Sequence, residues 1–536
     1  FFLKKFLNFF GVVPISSTAS KEALETIEGL LNQGEVVALF PEAAVTRNGQ
    51  LGVFHRGFER AVKDTTAVII PFYLLGLWGS IYSFATKKYR KSSSTKWVRE
   101  VFVCFGNPMP REATAAEVKK AVFQLSIYAW QSYTESLNPV AIQWLITVKK
   151  FKNNWCLVDF DGTVYSAFRL LVAVIALGEV LKKKIKSQRH IGLLLPPSAG
   201  GIITNLSVLM LGKVVVNLNY TATISSLAQA INQGEIDTII TSRRFLARLS
   251  AKGFTNSEFF ADKNLIYLED LKKNISFQKR VKFSLLVKAL PAFFLRIFYF
   301  KKNSLDDTAA ILFSSGSEGL PKGVQLTHRN LIANIKQIAM VLNAREDDIL
   351  MSTLPLFHAF GLTVTTLLPL VEGIPLVCYP DPTNGYEIGK LVAQYQATIL
   401  CATSTFLRLY NKNKKLNPLM FQSLRLVVAG AEKLSQEVRE EFKVKFGKDI
   451  YEGYGTTETS PVASFNLPDV LLPGDWSIQK GNKIGTVGLP LPGTAFKIVD
   501  PETLAELPPG EAGLILIGGP QVMKGYLKNE KKTQEV

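Results

Sequence analysis

Histidine and cysteine are scarce here, four of each in 536 residues. Cys104, Cys156, Cys378 and Cys401 lie far apart, with no C-x-x-C spacing and no histidine nearby, which excludes a disulfide framework and a zinc site and suits a reducing cytoplasm. His55, His190, His328 and His358 leave little room for a mechanism built on histidine bases. Membrane-spanning runs are missing as well. Thr65–Thr86, Ile191–Gly212 and Ile349–Val371 contain no Asp, Glu, Lys or Arg, but Pro, Gly and polar residues break each, so buried strand–loop–helix segments are expected there. The opening FFLKKFLNFFGVVPI is too short to span a bilayer and has no small-residue cleavage site. It starts without Met, so the chain is expected to be a partial or trimmed one. Acidic residues are outnumbered, 44 against 62 basic, and the net charge of +18 implies a polyanionic partner, either nucleic acid or an anionic membrane surface. Nucleic acid is set aside, because no RNP-like aromatic motif, helix-turn-helix cue or zinc knuckle is present.

With 47% hydrophobic and 20% charged residues the chain folds, and its length suggests several compact units. Helix-like stretches alternate with short apolar runs: helix over Leu24–Gln33, strand over Val36–Phe40, helix over Phe54–Val62, strand over Ala67–Leu75 and helix over Ala115–Leu137. The alternation resumes with helix Tyr165–Leu181, strand His190–Leu195, helix running into strand over Val208–Val216, and strand Ile239–Thr241. This predicts an α/β protein with helices flanking largely parallel sheets, divided into a unit over 1–140, a linker over 141–154 and a unit over 155–536. Between Leu271 and Lys302 nine basic residues and no acidic one are interleaved with Leu285, Leu286, Leu290, Phe293, Phe294, Leu295, Ile297, Phe298, Tyr299 and Phe300. Pro291 can open a short helix whose Phe293, Phe294, Ile297 and Phe300 recur on one face.

The densest chemical signal is Ser314-Ser315-Gly316-Ser317-Glu318-Gly319-Leu320-Pro321-Lys322-Gly323 after an apolar strand. Glycines admit phosphate oxygens close to the backbone, hydroxyls and N–H groups donate to them, and a lysine offsets their charge. The string is not a Walker loop, because Pro321 precedes Lys322 and glycine follows it. It closely resembles the phosphate-binding signature of adenylate-forming enzymes, which include acyl-CoA synthetases, luciferases and peptide-synthetase adenylation domains. Four more motifs agree in order: Ser352 to His358, Val428-Ala429-Gly430-Ala431-Glu432, Tyr454-Gly455-Thr456-Thr457-Glu458, and the glycine-rich stretches Gly485–Gly493 and Gly513–Tyr526.

The resemblance implies the large domain of such an enzyme with a small β-rich subdomain near its C-terminus, and ATP and Mg²⁺ as cofactors. By it Lys322, Ser314, Ser315 and Ser317 would hold phosphates with Gly316 and Gly319 between them. Gly430, Ala431, Glu432, Tyr454 and Gly455 would line the adenine site, Thr457 would contact the α-phosphate, and Glu458 would hold Mg²⁺. His358 would line or gate the acyl pocket, while His328 reads as a helix-start residue and His190 as structural. A further small domain, carrying a catalytic lysine, is expected to follow, so this chain is expected to be impaired in adenylation by itself.

In the first unit Phe40-Pro41-Glu42, with Thr46-Arg47 after it and the strand Val68-Ile69-Ile70-Pro71, is similar to glycerolipid acyltransferases, in which Glu42 and Arg47 would bind the phosphate region of the acceptor. Ala43 stands where glycine is usual, Ser16-Ser17 where Asp-Arg is frequent, and no His-x-x-x-x-Asp is present, so no transferase turnover is expected of this chain alone. A transferase unit followed by an activating unit, with Glu318 in place of the usual threonine, resembles the bacterial bifunctional acyl-[acyl-carrier-protein] synthetase / 2-acylglycerophosphoethanolamine acyltransferase family. The implied partners are a fatty acid, acyl carrier protein or CoA, a lysophospholipid and an anionic membrane surface. The implied place is the cytoplasmic face of the bacterial membrane, touched by 272–302 and by a second basic patch of Lys87, Lys88, Arg90, Lys91, Lys96 and Arg99. The alternative is a long-chain acyl-CoA synthetase with a degenerate transferase unit.

Overall fold

The computed structural model describes the chain except residues 1–10, 14–19, 94–98, 152–153, 252–259, 261, 316–320, 472–475 and 477. It divides into a smaller unit (1–85, 96–133 and 470–479) and a larger one (86–95, 134–469 and 480–536).

In the smaller unit, helices Ser20–Asn32, Gly57–Val62 and most of Ala115–Glu135 accompany an antiparallel pair, Phe72–Leu75 with Phe102–Phe105. Phe54, Phe58, Ala113, Val118 and Val122 form its core. Two sequence expectations change here. Val36–Phe40 forms no strand: Val36 is 97% exposed, Leu39 packs against the core and the Phe40 ring meets Phe72 edge-on, but among the described residues no strand pairs with the run. The strand expected from Ala67 starts at Phe72, because Pro71 has no N–H to give a ladder, and Ile69 makes only an isolated bridge to Met109. Ser16 and Ser17 lie outside the described residues.

The larger unit holds two sheets. In the seven-stranded one the order is Gly525–Tyr526, Pro321–Thr327, Thr308–Ser315, Val214–Asn217, His190–Leu193, Thr238–Thr241, Asn264–Tyr267. In the nine-stranded one it is Leu489–Pro490, Val462–Phe465, Ile450–Gly455, Leu426–Ala429, Ile399–Ala402, Leu350–Ser352, Leu376–Cys378, Trp155–Val158, Val164–Ser166. The central strands Val214–Asn217, Thr238–Thr241, Ile399–Ala402 and Leu426–Ala429 pair in parallel and are wholly buried, as unbroken runs such as Val214-Val215-Val216 require of strands covered on both faces. A small antiparallel pair, Ala495–Val499 with Leu514–Gly518, lies near the C-terminus. We label the strands that matter below β1 (Thr308–Ser315), β2 (Pro321–Thr327), β3 (Ile450–Gly455), β4 (Val462–Phe465) and β5 (Gly525–Tyr526), and the helices α1 (Phe277–Ala289), α2 (Ala292–Tyr299) and α3 (His328–Leu342).

The stretch expected as a linker is instead the helix Val140–Lys150, with Val140, Trp144 and Leu145 at most 1% exposed in the core of the larger unit. Its lysines misled. Lys149 caps a neighbour, donating from Nζ to the carbonyls of Val287 (2.7 Å) and Leu290 (2.8 Å) at the C-terminal end of α1, where a cation is favoured. The second basic patch is also taken apart. Lys88 is buried over the Phe151 ring and donates to the Gly373 carbonyl, Arg99 donates to the carbonyls of Gly76, Trp78 and Gly79, and Lys96 lies outside the described residues. All four cysteines are free thiols. Among the described residues no helix is long and apolar enough to cross a membrane.

Helix α3 is the spine of the larger unit. Thr327 caps it through a reciprocal pair with Asn330, and every residue but Arg329 is buried. A helix buried all round is normally apolar all round, yet Asn330, Asn334 and Gln337 recur at i, i+4 and i+7. Each amide donates to a distant backbone: Asn330 to the carbonyls of Pro520 (2.9 Å) and Val522 (2.6 Å), Asn334 to that of Val462 (2.7 Å), and Gln337 to that of Pro492 (2.9 Å). Asn334 also accepts from the N–H of Val462, at 3.2 Å.

His328, the first residue of α3, is 1% exposed. Asn303 donates to its Nε2 at 3.0 Å, while its Nδ1 has no partner among the described residues. Desolvation lowers its pKa from 6.5 to about 4, against the attraction of Asp307. Between those values the unfolded chain takes up a proton that the folded chain refuses, so stability falls as pH drops from about 6.5 to about 4, by roughly 3 kcal/mol. His328→Gln should remove that share of the loss, read as a smaller acid-side shift of the urea midpoint than in the parent protein. Equal shifts would show that this imidazole does not drive the acid dependence.

Candidate active site

Strands β1 and β2 are the two arms of a hairpin whose register sets Lys322 opposite Ser314 and Pro321 opposite Ser315. Gly316, Ser317, Glu318 and Gly319 lie outside the described residues, so the hairpin arms alone carry the geometry. On its other edge β2 pairs with β5, Val324 opposite Tyr526. Lys322 Nζ lies 5.9 Å from the centre of the Tyr526 ring.

Strand β3 changes partners along its length. Its first residues run parallel to Leu426–Ala429 and its last antiparallel to β4, with the register breaking between Tyr454 and Gly455. Only glycine fits at 455, since a Cβ there would meet the Pro461 carbonyl oxygen at 1.7 Å. The chain then turns through Thr457–Thr459, capped reciprocally by Thr456 and Thr459. That turn presents Glu458, whose Oε1 accepts a 2.8 Å hydrogen bond from the Tyr526 hydroxyl. Burial, reinforced by the carboxylate, raises the pKa of Tyr526, so the phenol stays protonated and remains the donor. The Glu458 carbonyl also accepts from the N–H of Met523, at 2.7 Å.

One cavity brings Ser314, the end of β3 and the Glu458 turn together, with about 1270 Å³ of empty space counted out to its open mouth, while Lys322 and Tyr526 are not on its wall. Ser314, His358, Gly430, Ala431, Tyr454, Gly455, Thr456, Thr457 and Glu458 contribute to its wall. The rest of the lining is almost entirely apolar: Ile338 and Leu342 from α3, Leu350, Ile399, Cys401 and Leu426 from inner strands, and Val364 and Leu368 beyond His358. The Cys401 thiol, pushed up to about 12 by burial, behaves there as a small apolar group. His358 accepts a 3.3 Å hydrogen bond from the Phe360 N–H at Nδ1, which puts its proton on Nε2, and desolvation lowers its pKa so that it is a neutral donor.

Glu432 does not join this wall. Its carboxylate accepts from the backbone N–H of Thr405 and, at 3.1 Å, from the Thr405 hydroxyl, at the start of helix Ser404–Lys412. Desolvation would raise its pKa, but those bonds hold it below the ordinary carboxylate value. The stretch Val428 to Glu432 therefore supplies the cavity wall through Val428, Ala429, Gly430 and Ala431, while Glu432 anchors the loop from outside. Sequence reading had also passed over Tyr526 as a site residue, although it ends a stretch already picked out for its glycines.

The smaller unit carries Glu42 and Arg47 on separate partners. Glu42 Oε2 accepts from the Gly52 N–H at 2.5 Å, and burial raises its pKa against that bond and the charge of Lys119. The Arg47 guanidinium lies over the Phe84 ring, 3.1 Å from its centre, and its Nε is buried with no hydrogen-bond partner among the described residues.

Several known proteins are similar to this chain. A 33%-identical stretch of 234 residues aligns with the long-chain-fatty-acid–CoA ligase of Escherichia coli, and a 38%-identical stretch of 237 residues with probable 4-coumarate–CoA ligase 2 of Dictyostelium discoideum. Each covers 43% of this chain and 40% of the relative, so the match spans less than half the length of those proteins. Among solved structures, ATP-bound MatB from Rhodopseudomonas palustris is 25% identical with a TM-score of 0.59 over 74% of this chain and 73% of that one. The anthranilate CoA ligase AuaEII with anthranoyl-AMP, at 20% identity and a TM-score of 0.61 over 74% and 72%, shares the fold. Residues 1–75 match the family model described as Acyltransferase. Residues 146–527 match the model described as AMP-binding enzyme, and with some seven-tenths of its length inside that match the chain belongs to the AMP-binding enzyme family.

Proposed function

We propose that the larger unit activates a fatty acid as its acyl-adenylate using ATP and Mg²⁺ and passes the acyl group to the thiol of acyl carrier protein, and that the smaller unit serves its transfer to a lysophospholipid. The observation that carries the reading is a single cavity lined by Ser314, His358, Thr457 and Glu458 together with a long set of apolar side chains. Such a lining suits an amphiphile, with the carboxylate among the polar groups and the alkyl chain among the apolar ones.

AMP-binding enzymes use ATP, and the residues present fit it. Gly430, Gly453 and Gly455 put bare backbone into the cavity wall, with Tyr454 between two of them as an aromatic face for a base. For Mg²⁺ the donor set is also suitable. Among the described residues no cluster of three His, Cys, Asp or Glu side chains forms a cage, and Mg²⁺ is commonly held by one or two carboxylates together with substrate phosphates. Glu458 would supply that carboxylate through Oε2, since Tyr526 occupies Oε1.

When bound, ATP with its metal supplies an electrophilic α-phosphorus and the positive charge that stabilises its transition state. The chain's residues do the positioning. Lys322 and Ser314 face each other across the hairpin to meet phosphate oxygens, Thr457 offers a hydroxyl to the reacting phosphate, and the Nε2–H of His358 orients the fatty-acid carboxylate. The apolar depth excludes water from the alkyl chain. In the smaller unit, the unpartnered Nε of Arg47 costs about 1–3 kcal/mol, which an anionic oxygen of the acceptor lipid would relieve.

Lys322→Ala and Glu458→Ala should each lower fatty-acid-dependent ATP–pyrophosphate exchange about a hundredfold, corresponding to ~3 kcal/mol for a lost transition-state contact; wild-type exchange in both would refute the assignment. Tyr526→Phe keeps the ring but frees Glu458, and a roughly tenfold fall in exchange is expected with little change in ATP affinity by calorimetry. Offering acyl carrier protein and CoA side by side decides the acceptor, with faster acylation of the carrier protein expected. Arg47→Ala should weaken lysophospholipid binding about tenfold and leave pyrophosphate exchange untouched; unaltered lipid binding would leave Arg47 a packing residue.

A further inference from the structure

Helices α1 and α2 stand apart from the rest of the larger unit in what they expose. Both are anchored from within, α1 by Phe283 and Val287 and α2 by Leu295, all buried. Lys149 holds the end of α1, and Phe283 packs edge-on against Tyr299 at 6.2 Å. Away from those anchors α1 shows Phe277 (78% exposed), Val281 and Leu285 (62%) at i, i+4 and i+8. Helix α2 shows Phe293 (64%), Phe294, Ile297 and Phe298 (61%). The Phe293 and Phe294 rings contact each other edge-on at 5.5 Å, and Phe294 stacks on Phe298 at 6.5 Å, so the aromatics form one exposed cluster. The sequence expected Phe300 to share this face; it is buried instead, and Phe298 takes its place.

Along these two helices the charge has one sign, with the carboxylate of Glu179, on the helix packed beneath them, beside Tyr299. Lys279, Arg280, Lys282, Lys288, Arg296, Lys301 and Lys302 are all exposed, and among the described residues none forms an ion pair. No acidic residue occurs between Leu271 and Lys302 to neutralise them. Exposed apolar side chains interspersed with uncompensated lysines and arginines on the same two helices match a surface with an apolar interior and an anionic rim, which is the cross-section of a lipid leaflet carrying acidic headgroups.

We propose that α1 and α2 form a docking surface for an anionic lipid bilayer, with the exposed phenylalanines entering the headgroup–acyl boundary and the basic side chains reaching acidic headgroups. Water-exposed phenylalanine on a rigid, well-anchored helix costs solubility without contributing to the fold. A leaflet surface removes that cost, and each basic residue then adds about fivefold to partitioning. A second copy of the chain would bring the same positive charge to the contact, and a nucleic acid would leave the aromatic cluster facing water.

The test uses the full chain and sedimentation with vesicles of phosphatidylcholine, with or without phosphatidylglycerol. Binding is expected only with phosphatidylglycerol and should weaken as salt is raised. Two triple variants, Phe293→Ser with Phe294→Ser and Ile297→Ser, and Lys288→Glu with Lys301→Glu and Lys302→Glu, should each bind at least a hundredfold more weakly. Because every altered residue is exposed, circular dichroism and melting temperature should match the parent. Lys414→Glu with Lys415→Glu, on exposed residues elsewhere, should bind as the parent does. Parent-like vesicle binding in either triple variant overturns the proposal. So does a DNA duplex that displaces the parent from vesicles, or a dimer in vesicle-free solution that the Ser variant dissolves.

Discussion

Three side-chain amides on one buried helix hold the larger unit's site together. Asn330, Asn334 and Gln337 lie along α3 at one-turn intervals and bond to backbone groups of segments more than a hundred residues away in sequence, around 462, 492 and 520–522. The first and last of those segments adjoin β4 and β5, and so the turn that presents Glu458 and the hydroxyl that fixes it. Amides buried without partners would be expensive. Here each is satisfied by a backbone group of a distant segment, so the network specifies one arrangement of loops over the cavity and penalises the others. The residue that opens the helix, His328, is the least well satisfied member of this region.

The same helix shows why polar and apolar requirements coexist in one cavity. Its amide row faces the loops, while Ile338 and Leu342 contribute to the apolar lining. A shift of α3 along its axis would therefore disturb the apolar depth of the cavity and the loop carrying Glu458 together. Rigidity of the helix, buried at every position but Arg329, keeps the two in register.

Much of this was legible in the sequence, for identifiable reasons. Parallel strands buried on both faces read as unbroken apolar runs, and the glycine-rich strings marked the backbone turns of the site because glycine alone fits where Gly455 meets Pro461. What was not legible depended on partners distant in the chain. The lysines at 149 and 150 made a buried helix look like a linker, since nothing local says that Lys149 will cap α1. Glu432 looked like a cavity residue because its motif is contiguous, whereas its carboxylate turns to Thr405. Lys88 looked like a surface charge until its stem proved buried against Phe151. The run Val36–Phe40 had strand composition, but a strand needs a neighbour to bond to, and among the described residues it has none.

The bond from Tyr526 to Glu458 also has an optical side. A phenol that donates to a carboxylate absorbs at slightly longer wavelength than one that donates to water, and the difference shrinks when a cation draws charge from the carboxylate. Tyr526 sits on that bond at 2.8 Å, one strand away from Lys322. The near-ultraviolet difference spectrum of this single ring thus carries a signature of whether the carboxylate beside it has been neutralised, an intrinsic chromophore reporting the electrostatic state of the site without a label.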